Sequence, residues 1–398
     1  MKVLHICCSV GGGAGIAATR ISEAMTRAGV NSSILVSRPD GRNHFCYSKK
    51  VRLLNYLHRT LLQKRIIKEE YGFHLLLGNT DIRKQECVKE ADIVYLHWIN
   101  EFLGFDDINH LLKTKKKVVW VMHDMWPITG GCHYSHGCKK YTNNCADCPQ
   151  LNSNKWIASW QLRKKIACWN GRDNLYLTAP SSWLTECIKE SSLFKGMKIC
   201  QMPNVLDTEV FSPRPKDECR KRLGLDSKYK YVLFSALRLE DLCKGSAYML
   251  DTLKLLNEKD YHFIVMGETD SNAYPKGVKD RLHLMGKVTN IDKIVDIYNA
   301  ADVFAITSVA ENFPNVVIEA MSCGVPVVGF ATGGICDQIE HQKNGFLVTE
   351  KTAIQTAEGI RWVLTNLSYS ELSKSARKYV VDKCSYKEIL KIHNVVLG

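Results

Sequence analysis

The stretch T-S-V-A-E-N-F-P-N-V-V-I-E-A-M-S-C-G-V-P-V-V-G-F, residues 307–330, decides the fold of this chain. It follows an apolar strand predicted at 303–306 and carries Glu311 in a short loop. A helix is predicted at about 315–322 and another strand at 325–329. Strand, loop, helix and strand in so few residues predict a βαβ unit of a parallel sheet, whose loop and helix N-terminus face the ligand crevice. The amides and the positive dipole end at the start of that helix suit a phosphate.

Two glutamates flank this predicted anion site. Glu319 follows Glu311 by eight residues, which places it roughly two turns into the helix and about 8–12 Å further along. At that separation the two carboxylates cannot share one proton. The spacing suits one carboxylate that accepts hydrogen bonds from hydroxyls on one side of a phosphate, and a second that does so on the far side.

A second predicted anion site lies earlier in the same half of the chain. A strand at 231–236 leads to Arg238, and Lys244-Gly245 follows just before a predicted helix. Cations at a strand end and at a helix N-terminus attract an anion, and the glycine permits close approach.

The N-terminal half begins with another βαβ unit. A strand at 3–8, a glycine-rich turn at 11–15, a helix at 16–27 and a strand at 33–37 follow one another. A nicotinamide-binding Rossmann domain needs an acidic residue at the end of its second strand. Ser37-Arg38-Pro39 stands there, which argues against a dehydrogenase. Two further predicted strands end in His97 and in His123, at the sheet edge where α/β proteins bind ligands.

Length and linker composition predict two domains. A chain of 398 residues exceeds what one hydrophobic core usually supports. The polar run P-N-V-L-D-T-E-V-F-S-P begins at Pro203 and reads as an interdomain linker. We therefore predict a first domain at 1–206, a second at 207–383, and a terminal helix at 384–398 that crosses back to the first.

These motifs together resemble the retaining, E-x7-E type glycosyltransferases of family four. The resemblance rests on E-x7-E with M-S-C-G-V-P-V-V, on H-D-M-W, and on the Arg and Lys pair. It implies an α/β GT-B fold of two Rossmann-like, doubly wound parallel-sheet domains that face a central cleft. It also implies a UDP- or GDP-sugar donor and a glycan or lipid-linked acceptor in bacterial cell-surface polysaccharide synthesis. Without an Asp-x-Asp motif, no catalytic metal is expected.

The resemblance also implies roles for individual residues. His123 would lie beside the donor sugar, Arg238 and Lys244 on the diphosphate, Glu311 on the sugar hydroxyls and Glu319 on the ribose. The remaining donor-binding residues implied by the family are Gly12, Gly13, Gly286, Lys287, Asn312, Phe313, Pro314 and Asn315. Asn312 stands where the family often has glycine. A GT-B epimerase or phosphorylase, or a non-catalytic sugar-nucleotide-binding protein, would share the phosphate site.

A polar loop at 130–150 carries four cysteines with the spacing C-x5-C-x6-C-x2-C, namely Cys132, Cys138, Cys145 and Cys148. The loop has few apolar residues, so something other than a core must order it. A structural zinc site would do so. Two disulfides, an iron–sulfur site and free thiols are alternatives, and His133 and His136 are competing ligands. The loop resembles an insertion found in some bacterial enzymes of the family.

Charge and hydropathy bear on partners and location. The net charge of +13 favours an acidic partner. A basic amphipathic helix predicted at 49–70 suits either an anionic inner-membrane surface or a domain surface. The chain starts directly with a strand and contains no apolar run long enough to span a bilayer, so we expect a cytoplasmic protein, peripheral on the membrane if the basic helix binds lipid. Nucleic acid is not expected as a partner, since the cysteine loop lies among repeated βα units.

Overall fold

The computed structural model describes residues 1–38, 40–58, 60, 67–68, 72–235, 242–267 and 270–397. It divides into two compact units, one formed by 1–203 with 389–398 and the other by 204–388. Each unit is built around its own parallel sheet.

The first unit contains a seven-stranded sheet in the order β3-β2-β1-β4-β5-β6-β7, with every neighbouring pair parallel. Its strands are β1 Lys2–Cys7, β2 Asn31–Val36, β3 His44–Phe45, β4 Ile93–Leu96, β5 Lys117–Val121, β6 Leu175–Ala179 and β7 Ile199–Gln201. The central strands are apolar and buried along nearly their whole length because helices cover a parallel sheet on both faces.

Helices alternate with the strands along the chain of this unit, as in a doubly wound domain. They are α1 Gly12–Arg27, α2 Lys49–Leu57, α3 Glu86–Glu90, α4 Phe105–Leu112, α5 Trp156–Trp169 and α6 Ser182–Glu190, with short 3₁₀ turns at Ile82–Lys84, Trp126–Ile128 and Lys140–Thr142.

The second unit contains a six-stranded sheet in the order β10-β9-β8-β11-β12-β13, again parallel throughout. Its strands are β8 Lys230–Ser235, β9 Tyr261–Met266, β10 Leu282–Gly286, β11 Val303–Ile306, β12 Val327–Phe330 and β13 Gly345–Val348. Its helices are α7 Lys216–Leu223, α8 Ser246–Leu255, α9 Ile291–Ala300, α10 Asn315–Ser322, α11 Ile335–Gln338, α12 Ala353–Thr365 and α13 Tyr369–Cys384, with 3₁₀ turns at Leu242–Lys244, Ser271–Ala273 and Lys276–Arg281. The last helix, α14 Tyr386–Leu397, begins in this unit, and residues 389–398 belong to the first.

Each sheet has one point at which the strand order reverses. In the first unit it lies between β1 and β4, and in the second between β8 and β11. Ligands of open α/β sheets bind outside the carboxyl ends of the strands at such a point. The segments after β1, β4, β8 and β11 are therefore the places to look for a site.

Two local predictions differ from the structure. Helix α1 begins at Gly12, four residues before the predicted start, so the glycines form its first turn instead of a separate loop. Of the basic helix predicted at 49–70, the structure shows α2 at 49–57. Residues 59, 61–66 and 69–71 lie outside the described residues. Within the described ranges, no helix has the length and apolar composition that a bilayer span requires.

Candidate functional site

The turn that carries Lys244 is fixed against the end of β11. Gly245 has a φ of +64°, in the left-handed region that favours glycine, and a Cβ there would lie 1.9 Å from the carbonyl oxygen of Thr307. The Thr307 hydroxyl donates hydrogen bonds to the carbonyl oxygens of Gly245 and Lys244, at 3.0 and 3.3 Å. The amide of Val309 donates to the Cys243 carbonyl at 2.8 Å. This close approach at the switch point of the second sheet requires glycine.

The docked turn brings together two predicted site residues. Lys244 Nζ donates to Glu311 Oε2 at 2.5 Å. The lysine side chain is 45% exposed, whereas the glutamate side chain is 12% exposed. An ion pair thus stands at the carboxyl ends of β8 and β11, with its cation toward solvent.

The N-terminus of α10 lies directly after Glu311 in the chain. Pro314 occupies the N-cap position and makes no side-chain hydrogen bond to the first turn, which also has no acidic residue. Asn204 Nδ2 donates to the Phe313 carbonyl at 2.9 Å, and Gln338 Nε2 donates to the Pro314 carbonyl at 3.2 Å. Because buried amides hold these carbonyl oxygens, the helix end presents its positive dipole to an anion without a competing side-chain cap.

Glu319 lies inside α10 and is 8% exposed. The Tyr298 hydroxyl donates to Glu319 Oε2 at 2.8 Å. The bond orients this carboxylate from α9, so its geometry is set by a residue on a different helix.

The remaining predicted donor-binding residues of the second unit differ in their burial and in their backbone conformation. Asn312 is 2% exposed and has no positive φ, so asparagine at this position carries no backbone strain. Gly286 ends the edge strand β10 with a φ of +63°, and its carbonyl accepts from the Gly267 amide. Lys287 follows it and is exposed. Arg238 lies outside the described residues.

His123 follows β5 in the first unit and belongs to a row of aromatic side chains. Its Nε2 lies 3.1 Å from His97 Nδ1, and His97 Nε2 lies 2.9 Å from His5 Nδ1. His5 stacks on Tyr95, whose hydroxyl is hydrogen-bonded to His393 Nδ1. Burial lowers the pKa of His123 to about 4 and that of His5 to about 3, so both imidazoles are neutral at neutral pH.

The next residue, Asp124, fixes the segment that carries His123. Its Oδ2 lies 2.6 Å from His133 Nδ1, and its Oδ1 accepts from the Trp126 amide at 2.8 Å. His133 Nε2 lies 2.7 Å from His74 Nδ1. Burial opposes ionisation of Asp124, yet the neighbouring His133 and its hydrogen bond outweigh it, so the pKa of this carboxyl lies below its usual value. Asp124 therefore stays charged and ties the end of β5 to the cysteine loop.

Gly12 and Gly13 start α1 at the switch point of the first sheet, and a Cβ at either would meet nothing within 4 Å. Gly15 is the crowded position, since a Cβ there would lie 2.3 Å from the Ser9 carbonyl oxygen. Gly12 and Gly13 thus leave open space over the helix start. Gly15 is required for a different reason, because any side chain there would collide with the backbone of Ser9.

The four cysteines of the loop are free thiols. Cys132, Cys145 and Cys148 are buried, Cys138 is partly exposed, and all four line one small cavity. Burial raises the pKa of the Cys145 thiol to about 11 and raises that of Cys132 as well.

Four residues that position the site were not singled out from the sequence. Asn204, Gln338, Tyr298 and Thr307 hold the loop, the helix end, Glu319 and the lysine turn, respectively. Asn204 could have been found from the sequence, since it belongs to the polar P-N-V-L-D run that begins at Pro203. The other three lie in ordinary amphipathic or strand-end positions and give none.

A family model matches part of the second unit. Residues 215–379 match the model of the family described as glycosyl transferases group 1. An uncharacterised glycosyltransferase of Methanocaldococcus jannaschii is 31% identical over 180 residues, 43% of this chain and 45% of the relative. A D-inositol 3-phosphate glycosyltransferase of Mycobacteroides abscessus is 30% identical over 169 residues, 39% of this chain and 36% of the relative. The chain thus spans less than half the length of these curated relatives.

Solved structures resemble the whole chain. Sucrose-phosphate synthase of Thermosynechococcus elongatus aligns over 99% of this chain and 98% of its own, with a TM-score of 0.69 and 16% identity. Anabaena HepE in complex with UDP and glucose aligns over 100% and 99%, with a TM-score of 0.67 and 18% identity. At such identities the likeness establishes the fold alone. The predicted class is confirmed as two parallel-sheet α/β domains of the GT-B type.

Proposed function

We propose that this chain is a retaining glycosyltransferase that moves a sugar from a nucleotide-diphosphate sugar to a glycan or lipid-linked acceptor in cell-surface polysaccharide synthesis. One observation carries the proposal. The Lys244–Glu311 pair stands beside the start of α10, at the switch point of a sheet within the region that matches glycosyl transferases group 1. The HepE structure with bound UDP and glucose supports a nucleotide-sugar donor, and UDP is the nucleotide we test first.

The chemistry of donor cleavage matches these groups. Breaking the bond between the anomeric carbon and the diphosphate oxygen builds negative charge on the leaving group. Fixed cations and helix amides stabilise that charge. A lysine ammonium has three N–H donors, so Lys244 can keep its bond to Glu311 and still donate to a phosphate. The first-turn amides of α10 supply the second contact, and Arg238 is proposed as a further cation from its place in the chain.

The two glutamates are proposed to hold hydroxyl groups. Glu311, oriented by Lys244, accepts from the donor sugar, and Glu319, oriented by Tyr298, accepts from the ribose. His123 is proposed to lie beside the donor sugar as a neutral imidazole whose Nε2 lies against His97. We infer a same-face displacement, which retains the configuration of the anomeric carbon.

Activity assays test the proposal. Purified protein is incubated with UDP- and GDP-sugars, with and without lipid-linked and glycan acceptors, and free nucleotide diphosphate is measured. We expect release that depends on acceptor, and an anomeric configuration in the product, read by NMR, identical to that of the donor. Acceptor-independent conversion would favour an epimerase or phosphorylase, and an inverted product would contradict retention.

We also propose that the chain binds an anionic membrane surface through α2. Three apolar side chains of this helix are exposed, Leu53 by 58%, Tyr56 by 63% and Leu57 by 39%, next to the exposed cations Lys49 and Lys50. Apolar side chains that enter the interface beside lysines are typical of peripheral helices.

Flotation with vesicles that contain anionic lipid tests this surface. We expect the double variant Leu53→Glu with Tyr56→Glu to lose most vesicle binding. Leu367→Glu is the matched control, because Leu367 is a fully exposed leucine in the second unit. Equal binding by both variants, or by the wild type to neutral vesicles, would exclude an anionic-lipid role for α2.

A further inference from the structure

The cysteine loop has an irregular backbone. The expectation that no core orders it was wrong, because Cys132, Tyr141, Cys145 and Cys148 belong to the hydrophobic core of the first unit. Between β5 and α5 the regular structure consists of two 3₁₀ turns, Trp126–Ile128 and Lys140–Thr142. Three non-glycine residues of the loop have positive φ, His136 at 46°, Cys145 at 53° and Asp147 at 49°. Left-handed backbone is unfavourable for such residues and persists only where the surroundings impose it.

All four cysteines of the loop are among the residues that line one cavity of about 20 Å³. A cavity of this size holds a single water-sized particle. Phe73 and Ala158 also line the cavity. Four cysteines beside one small space can supply the four sulfur donors that a tetrahedral zinc site requires.

Backbone amides already point at two of the sulfurs. The Gln150 amide donates to the Cys148 sulfur, and the Gly130 amide donates to the Cys145 sulfur. These amide hydrogen bonds offset part of the effect of burial, which raises the pKa of both thiols.

A buried lysine stands behind the loop. Lys165 is fully buried, and its ammonium donates to the carbonyl oxygens of Trp126 and Thr129 at 2.5 and 2.9 Å. Burial lowers the pKa of Lys165 to about 7, and the two carbonyl oxygens hold its Nζ against the backbone of the loop.

The nearby histidines are not suited to replace a cysteine. Both ring nitrogens of His133 are engaged, by Asp124 at 2.6 Å and by His74 at 2.7 Å. His136 does not line the cavity.

We propose that Cys132, Cys138, Cys145 and Cys148 bind one zinc ion in a closed, structural tetrathiolate site. In the part of the chain that the structure describes, no three metal-binding side chains already stand at coordination separation. Zinc binding would therefore require the four thiol groups to move together until each sulfur reaches the length of a zinc–thiolate bond, about 2.3 Å. Each thiol releases its proton to solvent and donates an electron pair to the metal.

The site would stabilise the segment that carries His123. Cys132 precedes His133, whose ring holds Asp124, and the His133 carbonyl accepts from the Met125 amide at 2.9 Å. Fixing Cys132 thus fixes the end of β5. The zinc proposal does not depend on the proposed transferase activity, because it is tested by metal content.

Metal analysis of the intact chain tests the proposal. The protein is produced in zinc-containing medium, purified with a phosphine reductant and without chelators, and measured by mass spectrometry of metals. We expect about one zinc per chain, released when an organomercurial modifies the thiols. The double variant Cys145→Ser with Cys148→Ser should hold less than a tenth of that zinc. Cys200→Ser, a partly exposed cysteine outside the loop, should keep all of it.

A second measurement on the wild type covers the case in which the double variant does not fold. Cobalt replaces zinc, and a tetrahedral tetrathiolate site gives intense visible absorption that zinc abolishes. Absence of stoichiometric zinc together with absence of this cobalt spectrum would overturn the proposal. So would an intact mass, measured without reductant, lower by four hydrogens, which indicates two disulfides, or bound iron with sulfide.

Discussion

Replacing Gly245 by alanine adds a methyl group where the structure has no room for one. The new Cβ would lie 1.9 Å from the Thr307 carbonyl oxygen, on a backbone with a φ of +64°. The neighbour is main chain at the end of a central strand, so it cannot rotate away. The turn that carries Lys244 must move instead.

The cost has two parts. Left-handed backbone disfavours alanine by about 1–2 kcal/mol, and displacement of the turn weakens the Thr307–Gly245 hydrogen bond, worth about 0.5–1.5 kcal/mol. We therefore expect Gly245→Ala to lower the free energy of unfolding by about 1.5–3.5 kcal/mol. Because Lys244 moves with the turn, donor affinity should also fall about tenfold or more.

Gly224→Ala is the matched control. Gly224 ends α7 in the same unit with a φ of +70°, and a Cβ there would meet nothing within 4 Å. The free energy of unfolding of Gly224→Ala should fall only by the cost of left-handed backbone for alanine, about 1–2 kcal/mol. Its affinity for the donor should not change. Urea unfolding and calorimetric titration with the UDP-sugar compare the two variants. Equal losses of stability, or unchanged donor affinity in Gly245→Ala, would refute the proposed close packing of the lysine turn.

Two further predictions concern catalysis and pH. Glu311→Gln should lower kcat/KM by about 2–4 kcal/mol of transition-state stabilisation with the fold intact, as read from initial rates and circular dichroism; near-normal turnover would remove Glu311 from the mechanism. His5 is fully buried, and burial lowers its pKa to about 3. The unfolded chain takes up this proton below about pH 6.5 while the folded chain does not, so stability should fall as the pH decreases from there toward 3. His5→Gln should reduce that slope by up to about 1.4 kcal/mol per pH unit in urea titrations between pH 6.5 and 4.5, and an unchanged slope would contradict a neutral buried His5.

The alternation of strands and helices was readable from the sequence because parallel strands are short apolar runs. Both predicted βαβ units, at 2–36 and 303–330, are present in the structure. The start of α1 was misplaced because glycine has a low helix propensity, yet the structure begins the helix at Gly12.

Contacts between distant residues could not be read in the same way. Asn204 reaches Phe313 across 109 positions, and Tyr95 meets His393 across 298. One sequence contains no signal for such pairs. The Lys244–Glu311 pair spans 67 positions, and only the family resemblance had assigned both residues to one ligand.

The arrangement of the cysteine loop could be predicted only in part from the sequence. Its spacing suggested that the thiols belong together, and the structure arranges them around one cavity. The role of Lys165 was invisible from the sequence, because a lysine on an amphipathic helix is usually exposed.

Calorimetric titration of the wild type, Lys244→Ala and Lys254→Ala with UDP and UDP-sugars is the most direct test of the proposed diphosphate site. Lys254 is the control because it is an exposed cation on α8, paired with Asp251 in the same unit. We predict that the wild type and Lys254→Ala bind with equal affinity, while Lys244→Ala binds at least tenfold more weakly. Equal binding by all three proteins would contradict a diphosphate site at Lys244, and so would tight binding of nucleosides that lack phosphate.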